Sequence, residues 1–161
     1  MPLNKISLYW NTIRYLKPSQ VYGRLFYNWL KPRNVRVPEV KLLSGATRWI
    51  KPTERVPSMV GAFEFNLLGQ TKDLQEIGWN GSQVEKLWRY NQHYFDDLNA
   101  IDSLNRKVWH DQLLKRWVSE NSIGKGVGGE PYPTSIRIVN WVKWHLLGNK
   151  LSDTAIQSLA F

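Results

Sequence analysis

The sequence predicts a mainly α-helical chain with one small β-hairpin, and three observations carry that prediction. Apolar residues recur at helical spacing over 6–30, 104–120 and 135–147. One stretch, Ala62 to Leu68, alternates like a short strand, and Gly69-Gln70-Thr71 then turns into a second stretch ending near Ile77. The 161 residues are 42% hydrophobic, enough for a buried core and an argument against disorder. One domain, or part of one, is expected from this length.

Taken in order, Ile6, Tyr9, Trp10, Ile13 and Leu16 keep helical spacing up to a break at Pro18. Val21, Leu25, Phe26 and Trp29 resume it, with Ser19 a candidate cap. Arg14, Lys17, Arg24, Lys31, Arg33 and Arg36 make this end basic, read as a solvated helix face with a membrane-surface amphipath as the alternative. Residues 31–61 are rich in proline and basic residues without a period and read as an extended connector, pinned by Trp49 and Ile50. The hairpin is expected over 62–77, a turn at 78–81, and helical structure over 84–161. Within that region, 87–98 has the density of a buried helix or helical turn. Trp88, Tyr94 and Phe95 supply mass there, while Asn91, His93 and Asp96 supply hydrogen-bonding groups. A lone His among aromatics, as His93 is, reads first as a satisfied core residue and only second as a catalyst. Asp102 or Ser103 is the expected cap of a helix over 104–120, with Val108, Trp109, Leu113, Leu114, Trp117 and Val118 as its apolar stripe. Ser152 is the expected cap of a last short helix, which reaches Phe161 without a stop signal and so is expected to continue in a missing remainder of the same protein.

The most informative stretch is GVGGEPYPTSIRIVNWVKWHLLG, Gly126 to Gly148. Glycines at 124, 126, 128 and 129 shape a loop that Pro131 and Pro133 stiffen. Thr134 or Ser135 is the expected cap of a helix over 135–147 that stops at Gly148. On that helix Arg137, Asn140, Trp141 and Trp144 share one stripe, opposite Ile138, Val139, Val142 and Leu146. The helix is therefore expected between two layers, with the Arg137 and Asn140 stripe on a polar partner or wet cavity. The plainer alternative pairs Arg137 with a buried carboxylate such as Glu130 and ties Asn140 to nearby backbone.

Composition narrows the function. Nine Trp, seven Tyr and five Phe suit a large core or a groove that stacks flat rings. With 22 Lys and Arg against 13 Asp and Glu, a net charge of +9 favours polyanions: nucleic acid, anionic lipid or acidic polysaccharide. The absence of cysteine excludes disulfides and thiolate metal sites, and His93, His110 and His145 form no metal-binding pair, so no metal is expected. No stretch approaches a membrane span, and the first residues do not read as a signal peptide, so the chain as written is expected to start in the cytoplasm. G-x-S-x-G, phosphate-loop and H-E-x-x-H motifs are absent. Glu130, Asp96 and Asp97 are the carboxylates open to paired acid–base work.

EPYPTSIRIVNWVKW (Glu130 to Trp144) and LWRYNQHYFDDLNA (Leu87 to Ala100) resemble the N-terminal domain of the heparinase II/III-like polysaccharide lyases. LYWNTIRYLKPSQVYGRL (Leu8 to Leu25) looks like the start of members found beside bacterial surface-polysaccharide genes. The resemblance spans nearly the whole chain and implies an incomplete (α/α) toroid of antiparallel helix pairs, here only the first part of a longer protein. It implies β-elimination at a uronic acid: a neutralised carboxylate, a base that takes the C5 proton, and departure of the 4-linked sugar. It implies no cofactor. The family's Asn or His neutraliser and its proton-moving Tyr and His lie downstream of the Glu-Pro-Tyr-Pro block, so no catalytic residue carries over and the chain alone is expected to be inactive. A lining role for an acidic glycan does carry over, to Glu130, Tyr132, Arg137, Asn140, Trp141, Asn91, His93 and Tyr94, with Arg137 on a uronate or sulfate and Tyr132 or Trp141 on a sugar face. Relatives are often periplasmic. Gly129 departs from the pattern that the resemblance implies, since many members of that family carry Trp before the Glu. The competing class is a non-enzymatic module for acidic glycan or nucleic acid, with nucleic acid the less favoured.

Overall fold

The computed structural model of the protein describes residues 3–27 and 53–160, which fall in two compact units, 1–37 and 38–161. In the first unit α1 (Leu3–Ile13) and α2 (Pro18–Tyr27) flank the break expected at Pro18. The proline itself opens α2, because its fixed φ and missing N–H suit the first helical position. Ser19 therefore lies inside the helix and is not its cap. Instead the Gln20 side chain accepts from the Lys17 N–H at 2.9 Å, one arm of a capping box. Trp29, Trp49, Ile50 and the connector up to residue 52 lie outside the described residues.

The second unit holds the hairpin and most of the helix. β1 (Glu64–Leu67) and β2 (Gln70–Asp73) pair antiparallel, with Leu67 opposite Gln70. The turn is Leu68-Gly69, both at positive φ (54° and 74°), one residue earlier than the glycine-led turn expected from sequence. Positive φ at both positions matches the strand twist, so the hairpin holds even a leucine there. Phe65 and Leu67 point into the core, and Met59 bridges to Phe65, fastening the end of the connector. Asp73 caps α3 (Leu74–Ile77) by accepting from the Gln75 N–H at 2.7 Å.

α4 (Lys86–Tyr94) is shorter than the expected 87–98 because Phe95 turns left-handed (φ 59°), and a 3-10 turn follows at Asp96–Asn99. α5 (Lys107–Glu120) follows a second 3-10 turn, Ser103–Arg106, and neither Asp102 nor Ser103 caps with its side chain. The buried stripe of α5 is His110, Leu113, Leu114 and Trp117, with Trp109 and Val118 partly buried and Val108 exposed. α6 (Pro131–Leu146) begins four residues before the expected 135, and Gly148 at φ 95° ends it as expected. Ser152 caps α7 (Asp153–Leu159), accepting from the Ala155 N–H at 3.2 Å.

The fold is mainly helical with a small two-stranded antiparallel sheet. Its core gathers Trp88, Trp141, Trp144, Leu74, Leu98 and Leu113, all fully buried. Phe95 and Trp117 stand edge-on to Trp141 at 5.3 and 5.6 Å, a favoured aromatic geometry. Much of the tryptophan excess is thus core mass. No helix among the described residues is long and apolar enough to cross a membrane.

Candidate functional site

The loop ahead of α6 is tightly packed at two glycines, Gly128 against the core and Gly129 against the loop itself. A Cβ on Gly128 would fall 2.6 Å from His93 Nδ1, and one on Gly129 would fall 2.5 Å from the carbonyl carbon of Gly124. No side chain fits at either position without displacing a neighbour. Pro131 then takes the first helical turn, where its missing N–H costs nothing, so α6 starts at the proline pair. Thr134 and Ser135 are consequently not caps. The Thr134 hydroxyl donates to the Gly128 carbonyl at 3.0 Å, and that of Ser135 to Pro131 and Tyr132 carbonyls at 3.0 Å.

The Arg137, Asn140, Trp141 and Trp144 stripe faces the core, while Val139 and Val142 are exposed. The expectation of a helix buried on both sides fails, because the valines remain in water and one packed face suffices. Asn140 Nδ2 donates to the Tyr94 carbonyl at 2.8 Å and to Asp96 Oδ1 at 2.7 Å, and Asn99 Nδ2 donates to the Asn140 carbonyl at 3.1 Å. Asn140 therefore joins the end of α4 to α6. Asn91 donates back to the Leu87 carbonyl of its own helix at 2.8 Å. His93 is fully buried, with Trp117 Nε1 donating to its Nδ1 at 3.0 Å; its Nε2–H therefore donates to the Trp79 carbonyl at 3.1 Å. Burial lowers its pKa to about 4, so the ring is neutral at physiological pH. Both nitrogens are occupied, as in the plainer reading of this residue.

Three of the expected lining residues come together, Tyr132 exposed, Glu130 half-buried and Tyr94 buried. Tyr132 is 59% exposed and stands edge-on to Tyr94 at 5.8 Å, with Tyr90 at 6.5 Å. Glu130 accepts a hydrogen bond from the Tyr90 hydroxyl and pairs with Lys86 Nζ at 2.9 Å, and Lys86 also sits 5.2 Å over the Tyr90 ring. The Tyr90 hydrogen bond and Lys86 hold the Glu130 carboxyl below its usual range, while Glu130 and Tyr90 raise Lys86. Burial, then its Tyr132 and Asp96 neighbours, push Tyr94 up to about 12. Glu130 is thus engaged by Lys86 and not by Arg137. Arg137 instead donates to the Gly128 carbonyl at 2.7 Å and lies 3.9 Å over the Trp117 ring.

Two features escaped the sequence reading. Asp97 is a buried hub: Oδ1 accepts from the Ser58 and Met59 N–H groups at 2.6 and 3.0 Å, and Oδ2 from Arg106 Nε and His110 Nε2, both at 2.8 Å. Burial would raise its pKa, but His110, Arg106 and the two amides outweigh burial and hold it at about 2. Asp96 is tied to Arg55 at 3.2 Å as well as to Asn140, so Asp96, Asp97 and Glu130 are each committed to cations. The second feature is a groove of about 520 Å³ between α5 and α7, rimmed by Lys107, Lys115 and Lys150 over Leu114, Leu151 and Ala155. Lys107, Asp111 and Lys115 recur at i, i+4 and i+8, a signal that was legible on α5. Among the described residues no group of three His, Asp or Glu could hold a metal ion. Comparison with protein-family models, curated proteins and solved structures returns no match for this chain.

Proposed function

We propose that the chain is the N-terminal part of a heparinase II/III-like polysaccharide lyase, its helix pairs part of an (α/α) toroid, and that it binds an acidic, uronate-containing polysaccharide. The observation that carries this reading is the exposed Tyr132 ring beside the half-buried Tyr90 and over the buried Tyr94, next to the Lys86–Glu130 pair. The groove between α5 and α7 adds a second surface, where Lys115 and Lys150 stand beside the Lys107–Asp111 ion pair. Binding without turnover is the expected behaviour of this chain alone. Within the motif blocks His93 is fully buried and Tyr94 is buried and holds its proton, so neither is placed to move a proton on a bound sugar. That burial is also what favours a non-enzymatic binding module as the competing reading. The sequence resemblance supplies no catalytic site by itself.

Tyr132→Ala is expected to weaken binding of heparan-, alginate- or hyaluronan-type polymers several-fold while leaving the fold intact, since the ring is largely exposed. Binding measured by calorimetry, with absorbance of an unsaturated uronate product followed in parallel, checks both halves. Tighter binding of single-stranded nucleic acid than of any uronate polymer, with a steep salt dependence, would favour the competing module. Sustained product formation would overturn the expectation of no turnover.

A further inference from the structure

Residues 1–37 hold seven Lys or Arg and no Asp or Glu, so seven of the chain's nine net positive charges lie in this segment. Its described part, 3–27, is α1 and α2 with Pro18 opening the second helix. At helical spacing Tyr9, Trp10 and Ile13 share one stripe of α1, and Tyr22, Leu25 and Phe26 share one of α2. A solvated amphipathic helix keeps such a stripe on a core and turns only its polar side to water. Here the six side chains are between 45% and 68% exposed, and no described side chain of 3–27 is buried. Apolar groups scattered singly over a surface need no explanation, but two whole stripes in water mark a contact surface.

The chemistry of the stripes selects the partner. Rings alone would suit bases or sugars, but Ile13 and Leu25 stand among the rings and gain nothing from a polar polymer, whereas hydrocarbon accepts both kinds. Trp and Tyr favour the layer where lipid headgroups meet acyl chains. The cations fit the same layer: Lys17 is exposed, and the exposed Arg14 lies 4.6 Å over the Tyr15 ring. Since the segment has no carboxylate, nothing in it repels an anionic surface. Length sets the orientation. The 11 residues of α1 and 10 of α2 make rods of about 16 and 15 Å, half of a hydrocarbon core of roughly 30 Å, so each helix suits lying in the plane of a bilayer. We propose that α1 and α2 dock this chain on an anionic lipid bilayer, with Trp10, Ile13, Leu25 and Phe26 entering the headgroup boundary and Arg14 and Lys17 on lipid phosphates. This docking is independent of the glycan reading, whose residues all lie in the other compact unit.

The test is co-sedimentation of the full chain with vesicles of phosphatidylcholine alone or mixed with an equal amount of phosphatidylglycerol. Binding to the mixed vesicles is expected to exceed binding to the neutral ones about tenfold. Trp10→Ser combined with Leu25→Ser is expected to weaken it about tenfold. Arg14→Gln combined with Lys17→Gln is expected to do the same at low salt and to differ little from the unaltered chain at high salt. All four positions are exposed, and an unchanged urea midpoint shows that the core is intact in each variant. No binding to the mixed vesicles, or equal binding to both kinds, overturns the proposal. So does undiminished binding in the serine pair, which places the lipid contact elsewhere in the chain. If vesicles are not bound and the serine pair disperses a dimer seen by sedimentation velocity without lipid, the stripes belong to a second copy and the proposal falls. It falls likewise if the serine pair loses binding of single-stranded nucleic acid or uronate polymer and keeps that of vesicles.

Discussion

His93 and Asp97 sit two residues either side of the Phe95 turn region, and burial acts on them with different outcomes. His93 is held near pKa 4 against an ordinary 6.5, so an unfolded chain takes up a proton that the fold refuses between those values. Its contribution is complete above pH 6.5 and is lost as the pH falls toward 4, by roughly 3 kcal/mol at most. Asp97 is held at about 2 against 3.8, so its contribution is present above 3.8 and is lost as the pH falls through 2, about 2 kcal/mol. Urea midpoints are therefore expected to drop in two stages on acidification, and His93→Gln should flatten the upper stage. A midpoint constant between pH 6.5 and 4 would refute the assignment to His93. Sequence made His93 legible as a core residue, because aromatics crowd it. Its partners were not legible, since Trp79 and Trp117 lie 14 and 24 residues away. His110 was missed for a simpler reason: the stripe on α5 was traced through apolar residues alone, and a histidine completes it.

Among the elements, capping separates what spacing reveals from what it hides. Ser152 bonds the Ala155 N–H, so Ser152→Ala should cost about 1 kcal/mol in chemical denaturation. Ser135→Ala should stay within about 0.5 kcal/mol, because its hydroxyl bonds carbonyls of its own exposed helix surface and caps nothing. Equal losses in the two variants would refute the assignment of the α6 start. The hairpin was legible from alternation and a glycine, and α7 from its cap. The start of α6 was misplaced because Pro131 and Pro133 were read as loop stiffeners, although a proline is equally at home in a first helical turn. The end of α4 carried no signal at all. Phe95 in a left-handed conformation is imposed by its burial among Trp79, Trp117 and Trp141, a tertiary choice that overrides local preference.

For the molecule as a whole, helical class was legible while the meeting of distant segments was not. The Asp97 hub ties residues 58 and 59 to a carboxylate about forty positions on, at 39 and 38 residues' separation. Hydrogen exchange provides the check: the Ser58 and Met59 amides should exchange at rates near those of the core, and Val56, 81% exposed, far faster. Rapid exchange at 58 and 59 would mean that the connector is not fastened there. Of the expected lining residues, the structure leaves Tyr132 and Glu130 at the surface and turns Asn140, His93 and Trp141 inward, a division that residue type could not show. The contact between Gly129 and Gly124 has a further consequence, for what the loop can accept. Because a Cβ at 129 would fall 2.5 Å from the Gly124 carbonyl carbon, no side chain enters position 129 by replacement there alone. The turn around Gly124 has to be reshaped in the same step, so the two glycines behave as one unit under substitution.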